Sequence, residues 1–498
     1  MREVVTRLIS RAGRAWDSEV RAKVRLRYLV PPLALGLLAS ALVFWRLGEG
    51  SLFNWDEATY ADLAKQILLT DDWFTLHRNG LPFFKKPPLY MWLTALTYKI
   101  FGINEFAARF WSAVSGVGVV LGTYFIGSKL FDRRVGLAAG VLLLGINNYP
   151  HSHGYNFLSL CRVGHLDMPL TLAVLATLYL GWLGLERPRL LLWMGVPLGV
   201  GLMIKNVAAL FPWCIIVLLI AVTQGWRGLK RWQLWAGLGL GLGIALPWHL
   251  GQAMLHGKIF VEKYLVWEIL TRTVESLETP MHTGGWTFYL NVIRWGFPIW
   301  SWLMIPGVVY LGYRWLRKGS RAALLVLIWT GVPLVLYTLA GTKIGWYVVM
   351  VYPALTLLTA LFIQRVLGRR IGLIAVLVGM LLLNPRLPGP REGSPEYKDL
   401  ALAMNYMARP EDVVLSFDSR ADFIPPAFLF YADRHVTLIE GGGEEDLLGQ
   451  VAGLDAGRAL VLTNSEIWHE GLPGEIVRQW GTRIAVVVDP RSGAVQQP

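Results

Sequence analysis

Two neighbouring carboxylates, Asp56 and Glu57, stand in the stretch "NWDEATYADL", directly after a long apolar run. Beside a bilayer such groups are costly unless water covers them, a partner pairs with them or a reaction uses them. A carboxylate in reach of an attacking hydroxyl can take its proton. From Tyr60 onward the apolar positions 60, 63, 64, 67 and 68 recur at helical spacing, so the acids open an amphipathic helix. Acids are also favourable in the first turn of any helix, so the pair alone does not make a site.

Its companions strengthen the case. Lys85 and Lys86 precede two prolines in "RNGLPFFKKPPLYMW", and the prolines stiffen an extended turn. A lysine held there can bind a lipid phosphate as a point charge, or simply snorkel to the interface. Asp167, preceded by His165 in "CRVGHLDMPLTL", lies at the lip of an apolar run, where an acid is more often a cap. Lys205 in "GLMIKNVAALFP" lies between two apolar helices. Lys343 and Tyr347 in "GTKIGWYVVMVYPAL" stand at a helix start, where tyrosine ordinarily belongs to the aromatic belt. Each signal is weak alone. Several lysines and two carboxylates from separated segments together suggest an anionic lipid substrate and a base, which means group transfer from a lipid phosphate. The expectation is geometric: Asp56 and Lys86 must share one face and one cavity.

The elements that carry these residues are membrane helices. The chain has 498 residues, is 54% hydrophobic and has only 16% charged residues. Apolar runs at 29–45, 107–127, 233–251 and 346–363 are near the roughly 20 residues a span requires. This is a polytopic α-helical membrane protein, with about eleven to thirteen spans expected. The net charge of +13 is not a nucleic-acid signature, because it is unevenly placed. The last 108 residues hold 17 Asp/Glu and 9 Lys/Arg, so they carry −8 and the rest carries +21. Positive charge on a membrane domain marks cytoplasmic loops. Cys161 and Cys214 allow at most one bridge and suggest no disulfide framework.

Residues 1–27 hold eight Lys/Arg and three acids, which places the N-terminus in the cytoplasm; no cleavable signal peptide is evident. The apolar piece 89–102 is too short to cross and is read as interfacial. With that choice the later basic clusters all fall on the cytoplasmic side. The outer side then gathers loops 48–106, 150–167 and 252–286, the turns at Lys205-Asn206 and Gly341–Trp346, and the tail. Three parts follow: a basic cytoplasmic N-terminus at 1–28, a transmembrane domain at 29–385 and an extracytoplasmic α/β domain at 386–498. The last begins at the Pro/Gly-rich "NPRLPGPREGSPE" and contains β-rich runs "VVLSF", "VTLIE", "ALVLT" and "IAVVV".

The block "DEATYADLAKQIL…DDWFTLHRNGLPFFKKPPLYMWLTALTYKIFGINEFAARFWSAVSG" resembles the bacterial ArnT-like and protein O-mannosyltransferase-like glycosyltransferases. The likeness continues through "LDMPLTL", "MIKNVAALFP", "LPWHL" and "TKIGWYVVMVYPAL", and so covers most of residues 50–365. It implies a GT-C architecture, with amphipathic juxtamembrane helices in the first outer loop. It also implies transfer of a sugar from a polyprenyl (undecaprenyl-type) phosphate, usually with inversion, at the periplasmic or outer face of the cell (inner) membrane. The family's acids match Asp56 and Asp167, its phosphate-contacting lysine matches Lys86, and a tyrosine matches Tyr347.

On this resemblance Asp56 is the base, Asp167 orients the acceptor or steadies positive charge on the sugar, and Glu57 is in reserve. Lys86, Lys85, Lys205, Tyr347, Arg272 and Lys343 surround the phosphate. Tyr60, Glu268 and His165 line the acceptor side or the cavity. The sequence departs from the family at Thr59, where arginine is common, and at Lys85, where glutamate is common. The second departure puts any metal site there in doubt; no cofactor is established by the sequence, and a divalent metal is an open alternative that it does not predict. The partners implied are the lipid-linked sugar, a membrane lipid or glycan acceptor such as a lipid A-like glycolipid, and the bilayer, with no nucleic acid. Three other readings are a Ser/Thr-glycosylating enzyme, a lipid-linked-sugar flippase and a membrane anchor for the tail. A flippase would call for a repeat or mid-membrane charges. An anchor would not require these carboxylates and lysines.

Overall fold

A computed structural model describes residues 29–145, 156–275, 285–297, 299–383, 387–417, 424–439, 458–465, 468 and 474–488. The basic N-terminus, most of the loop before residue 156 and the end of the loop at 276–284 lie outside the described residues. The chain enters through α1 (Leu29–Phe44), an apolar helix. It continues through the two juxtamembrane helices α2 (Asp56–Thr70) and α3 (Leu89–Phe101). Between them a small hairpin pairs β1 (His77–Arg78) with β2 (Leu81–Pro82). The sequence expectation of helices from residue 60 and at 89–102 is therefore met in secondary structure.

Local chemistry sets the helix starts. α4 (Glu105–Leu130) begins where the Asn104 side chain accepts from the Ala107 amide, and α5 (Arg133–Leu144) where Asp132 accepts from Arg134 and Val135. α4 and α5 approach closely because Gly127 faces Gly136, and a methyl group on Gly127 would sit 2.8 Å from the Gly136 Cα. Small residues serve this purpose in membranes, where packing replaces the hydrophobic drive between helices.

α6 (Phe157–Cys161) and α7 (Asp167–Gly184) follow, then α8 (Arg189–Trp193), α9 (Gly195–Lys205) and α10 (Phe211–Leu229). α9 ends at Asn206, whose φ of 39° breaks the helix at the expected turn. Both α9 and α10 pack on α7. α11 (Trp232–Phe260) runs on into a π-helical segment, Val261–Thr271, and the single turn α12 (Arg272–Val274). The outer loop expected at 252–286 is thus helical through residue 274. The apolar periodicity fades there, but the backbone hydrogen bonding continues in a wider helix.

α13 (Phe288–Gly296), α14 (Ser301–Lys318), α15 (Arg321–Leu339), a 3-10 segment at Gly345–Val351, α16 (Tyr352–Leu367) and α17 (Arg369–Leu383) complete the membrane part. Among the described residues six helical stretches are long and apolar enough to cross, or seven if the bent pair α13–α14 is one span. This is fewer than the eleven to thirteen expected. α1, α5 and α17 are apolar but shorter than the 18 residues that count requires, and the stretch 189–229 counts once although Asn206 divides it.

The tail holds α18 (Pro395–Met407), β3 (Val413–Ser416), α19 (Pro426–Ala432), β4 (Val436–Leu438), β5 (Ala459–Asn464), β6 (Glu475–Trp480) and β7 (Arg483–Val488). The strands form one sheet in the order β4-β3-β5-β7-β6. β3 runs parallel to β4 and β5, while β7 is antiparallel to β5 and β6. Alternate residues point to opposite faces. Leu415, Val461, Ile484 and Val486 form a separate cluster on one face, whereas Val414, Leu460, Leu462 and Ala485 join the main core. The four β-rich runs of the sequence are β3, β4, β5 and β7. β6 is an exposed edge that such a search passes over.

Candidate active site

Asp56 is the first residue of α2, and Trp55 before it has a φ of 73°. A tryptophan in the left-handed region is strained, and such backbone persists where surrounding contacts impose it. Asp56 is half-buried, and among the described residues none donates a hydrogen bond to its carboxylate. Its charge is felt by Tyr60, His165, Lys205, Arg272 and Tyr347, which come from α2, the turn before α7, the end of α9, α12 and the 3-10 segment. Distant parts of the chain therefore meet around one carboxylate.

The cations facing it are already held by acids. Lys205 Nζ donates to Asp167 Oδ1 at 2.6 Å, and both side chains are buried. The Lys205 ammonium also lies 4.3 Å from the centre of the Tyr347 ring. Lys86 pairs with Glu268, and Arg272 Nη1 bonds both Glu268 oxygens at 2.9 and 2.8 Å, so Glu268 clasps the two cations from one helix face. An ammonium has three donors and a guanidinium five. Each of these cations therefore retains donors for a further anion, and the acids hold it in place meanwhile.

His165 is buried, its ring edge-on to Trp346 at 5.2 Å, with Nδ1 3.7 Å from Asp167 Oδ2. Burial disfavours its charged form, but Asp167 and Asp56 outweigh that and raise its pKa. Burial, then the charges of Asp56, Asp167 and Glu268, push the Tyr60 phenol well above its ordinary range, so it is a neutral hydroxyl. Lys85 is exposed, with its ammonium 4.6 Å from the Trp267 ring.

Two expected residues do other work. Glu57 is fully buried and pairs with the equally buried Arg109 at 2.8 Å. Its oxygens also accept from the Phe53 and Gly164 amides, at 2.7 and 2.9 Å. Burial would raise this carboxyl, but Arg109 and the two amides hold it below the usual range. A carboxylate so fully bonded and so enclosed is a structural anchor, which corrects its place as a reserve base. Lys343 turns its ammonium to the Ala340 carbonyl at 3.0 Å, where it caps the end of α15. It belongs to that cap and not to the cation group.

The sequence reading assigned no role to Arg109. It lies inside "EFAARFW" on a spanning helix, and an ionisable residue there always asks for a partner. Among the described residues no group of three or more His, Cys, Asp or Glu could hold a metal ion. Both cysteines are free.

Comparisons with known proteins point the same way. Residues 85–250 match the family described as dolichyl-phosphate-mannose-protein mannosyltransferase. An undecaprenyl phosphate-alpha-4-amino-4-deoxy-L-arabinose arabinosyl transferase of Pseudomonas fluorescens is 30% identical over 391 residues, covering 74% of this chain and 64% of the relative. Its counterpart in Pseudomonas savastanoi pv. phaseolicola is 29% identical over 332 residues, 65% of this chain and 60% of the relative. The matched stretches thus span about three fifths of these relatives' own length.

The crystal structure of ArnT from Cupriavidus metallidurans bound to undecaprenyl phosphate superposes with a TM-score of 0.73 at 18% identity, covering 95% of this chain and all of that one. The oligosaccharyltransferase of Archaeoglobus fulgidus gives 0.58 at 14% identity, covering 87% of this chain and 69% of that one. By sequence through its membrane part and by fold through nearly its whole length, the chain is a relative of the ArnT-like and protein O-mannosyltransferase-like proteins and has the GT-C architecture.

Proposed function

We propose that this protein is a membrane glycosyltransferase that moves a sugar from an undecaprenyl-type phosphate to an acceptor hydroxyl or phosphate of a lipid A-like or other envelope glycolipid. The observation that carries the reading is the gathering of Asp56 with Lys86, Lys205, Arg272 and Tyr347 around one site. The relatives named for undecaprenyl phosphate-linked aminoarabinose support the donor class. In this reading the site and the tail from residue 386 lie on the outer face.

The reaction follows from the groups present. The acceptor oxygen attacks the anomeric carbon and gives its proton to Asp56, whose carboxylate accepts no protein hydrogen bond among the described residues. The bond from that carbon to the phosphate oxygen breaks, and its electron pair stays on the leaving polyprenyl phosphate. Lys86, Lys205 and Arg272 stabilise that charge, with the Tyr347 hydroxyl beside them. Asp167, held by Lys205, faces the positive charge that develops on the sugar. Attack opposite the leaving phosphate inverts the anomeric centre.

The test supplies radiolabelled undecaprenyl-phosphate 4-amino-4-deoxy-L-arabinose with lipid A as acceptor. Label is expected in the lipid. Release of no sugar from this donor or from a polyprenyl-phosphate mannose would refute the proposal. A second reading, transfer to protein Ser/Thr, rests on the mannosyltransferase family match and predicts label in protein instead.

A further inference from the structure

We propose that the tail is a positioning element for Asp56, acting through a strap at residues 391–394 and through α19, which together fix the backbone that enters α2. The proposal rests on the transferase reading and deepens it.

The strap lies directly on residues 50–54. Glu392 Oε1 accepts from the Ser51 amide at 3.1 Å and from its hydroxyl at 2.7 Å. The Gly393 amide donates to Ser51 Oγ at 3.2 Å, and the Ser394 amide donates to the Leu52 carbonyl at 3.0 Å. Ser394 Oγ then accepts from the Asn54 amide at 3.1 Å. The two backbones touch: a methyl group on Gly393 would sit 2.3 Å from the Phe53 nitrogen, and one on Gly50 2.4 Å from the Arg391 carbonyl oxygen. Only glycine allows that approach, and Gly50 also has a φ of 84°.

α19 completes the hold. Its Ala427 amide donates to Asn54 Oδ1 at 3.1 Å. The Leu52 amide donates to the Tyr431 hydroxyl at 2.8 Å, which itself donates to Glu105 at 3.0 Å. Further along α2, Lys65 donates to the Phe430 carbonyl at 2.8 Å and pairs with Asp433. From beneath, Arg109 binds the Leu47, Glu49, Ser51 and Arg391 carbonyls as well as Glu57, so one guanidinium ties strap, entry segment and helix together.

The tail's contacts with the entry segment end at Asn54, two residues before Asp56. Trp55, with its left-handed backbone, follows, and then Asp56. The strained residue is thus clamped immediately upstream by the tail, and downstream by Glu57 through its bond to the Phe53 amide. That backbone sets where the Asp56 side chain starts, and among the described residues no hydrogen bond to its carboxylate offers a second hold. The phosphate-side cations come from other elements. Loosening the strap should therefore impair proton removal and leave donor binding alone.

The experiment uses the full-length protein in detergent with the double variant Asn54→Ala/Ser394→Ala, the single variant Ser394→Thr, and wild type. Transfer from the radiolabelled undecaprenyl-phosphate sugar gives kcat and donor KM. Hydrogen exchange over residues 51–60 and the melting temperature are read in parallel. The double variant should lose about tenfold in kcat, as small displacements of a reacting group do, with donor KM within about twofold of wild type. Exchange over 51–60 should rise, and Ser394→Thr, which keeps the hydroxyl, should behave as wild type. Unchanged kcat and exchange in the double variant would overturn the proposal. So would a fall in kcat accompanied by a rise in donor KM and a lower melting temperature. If wild type turns over no donor, the transferase reading fails instead, and the exchange result still decides the clamp.

Discussion

Two ion-paired regions lie within a few residues of each other on α2, and they differ in what their charges leave free. In the Glu57–Arg109 knot both side chains are sealed and bonded to backbone on nearly every polar atom. Around Asp56, the pairs Asp167–Lys205 and Lys86–Glu268–Arg272 are buried too, yet among the described residues each cation keeps donors unspent and Asp56 itself has no donor. A sealed pair holds a fold together, whereas an underspent one can receive an anion. Adjacent acids in the sequence thus have opposite surroundings.

The comparison can be broken in order of expected effect. Asp56→Asn should cut transfer by about 10²- to 10⁴-fold, the usual range for losing a positioned general base, while leaving the melting temperature unchanged. Transfer at the wild-type rate would remove Asp56 from that role. Lys86→Met should lower transfer about a hundredfold at limiting donor, read as kcat/KM, because Arg272 stays to hold Glu268.

Arg109→Ala tests the other region. It strands the Glu57 charge in a sealed site and should cost about 3–5 kcal/mol of stability, read by thermal unfolding in detergent. A variant that melts like wild type and only loses activity would show that the knot belongs to the site. The smallest effect concerns Asp62, also on α2 and buried, whose second oxygen has no hydrogen-bond partner among the described residues. Burial raises its pKa to about 6, against the opposing pull of Gln66, Lys65 and Arg78. Its folded value lies above the unfolded one, so ionisation costs stability above pH about 6, and that cost disappears as pH falls towards about 4. Asp62→Asn should therefore stabilise the protein at pH 8 by on the order of 2 kcal/mol and make little difference at pH 4. Equal melting temperatures at pH 8 would contradict it.

Much of the candidate site was legible because short-range pattern carried it. The apolar spacing after Tyr60 announced α2, the paired prolines announced the turn that ends in Lys86, and Asp167 stood visibly at the start of an apolar run. Glu57 and Lys343 misled because residue type and height in the membrane do not say what a side chain meets. The helical extension to residue 274 was missed because its polar residues, Glu268 and Arg272 among them, face one another and not a uniform solvent.

The sequence by itself determined that this chain lives in a bilayer, that its notable charges sit at helix ends, and that α2 begins with two acids. Those properties depend on hydropathy and period, which act between near neighbours. Only the tertiary structure decided which acid is sealed and which is open, which cations meet Asp56, and that the tail's strap grips residues 50–54 from some 340 positions away. Burial and pairing are set by segments that touch in space, and no local pattern in one segment records the identity of the other.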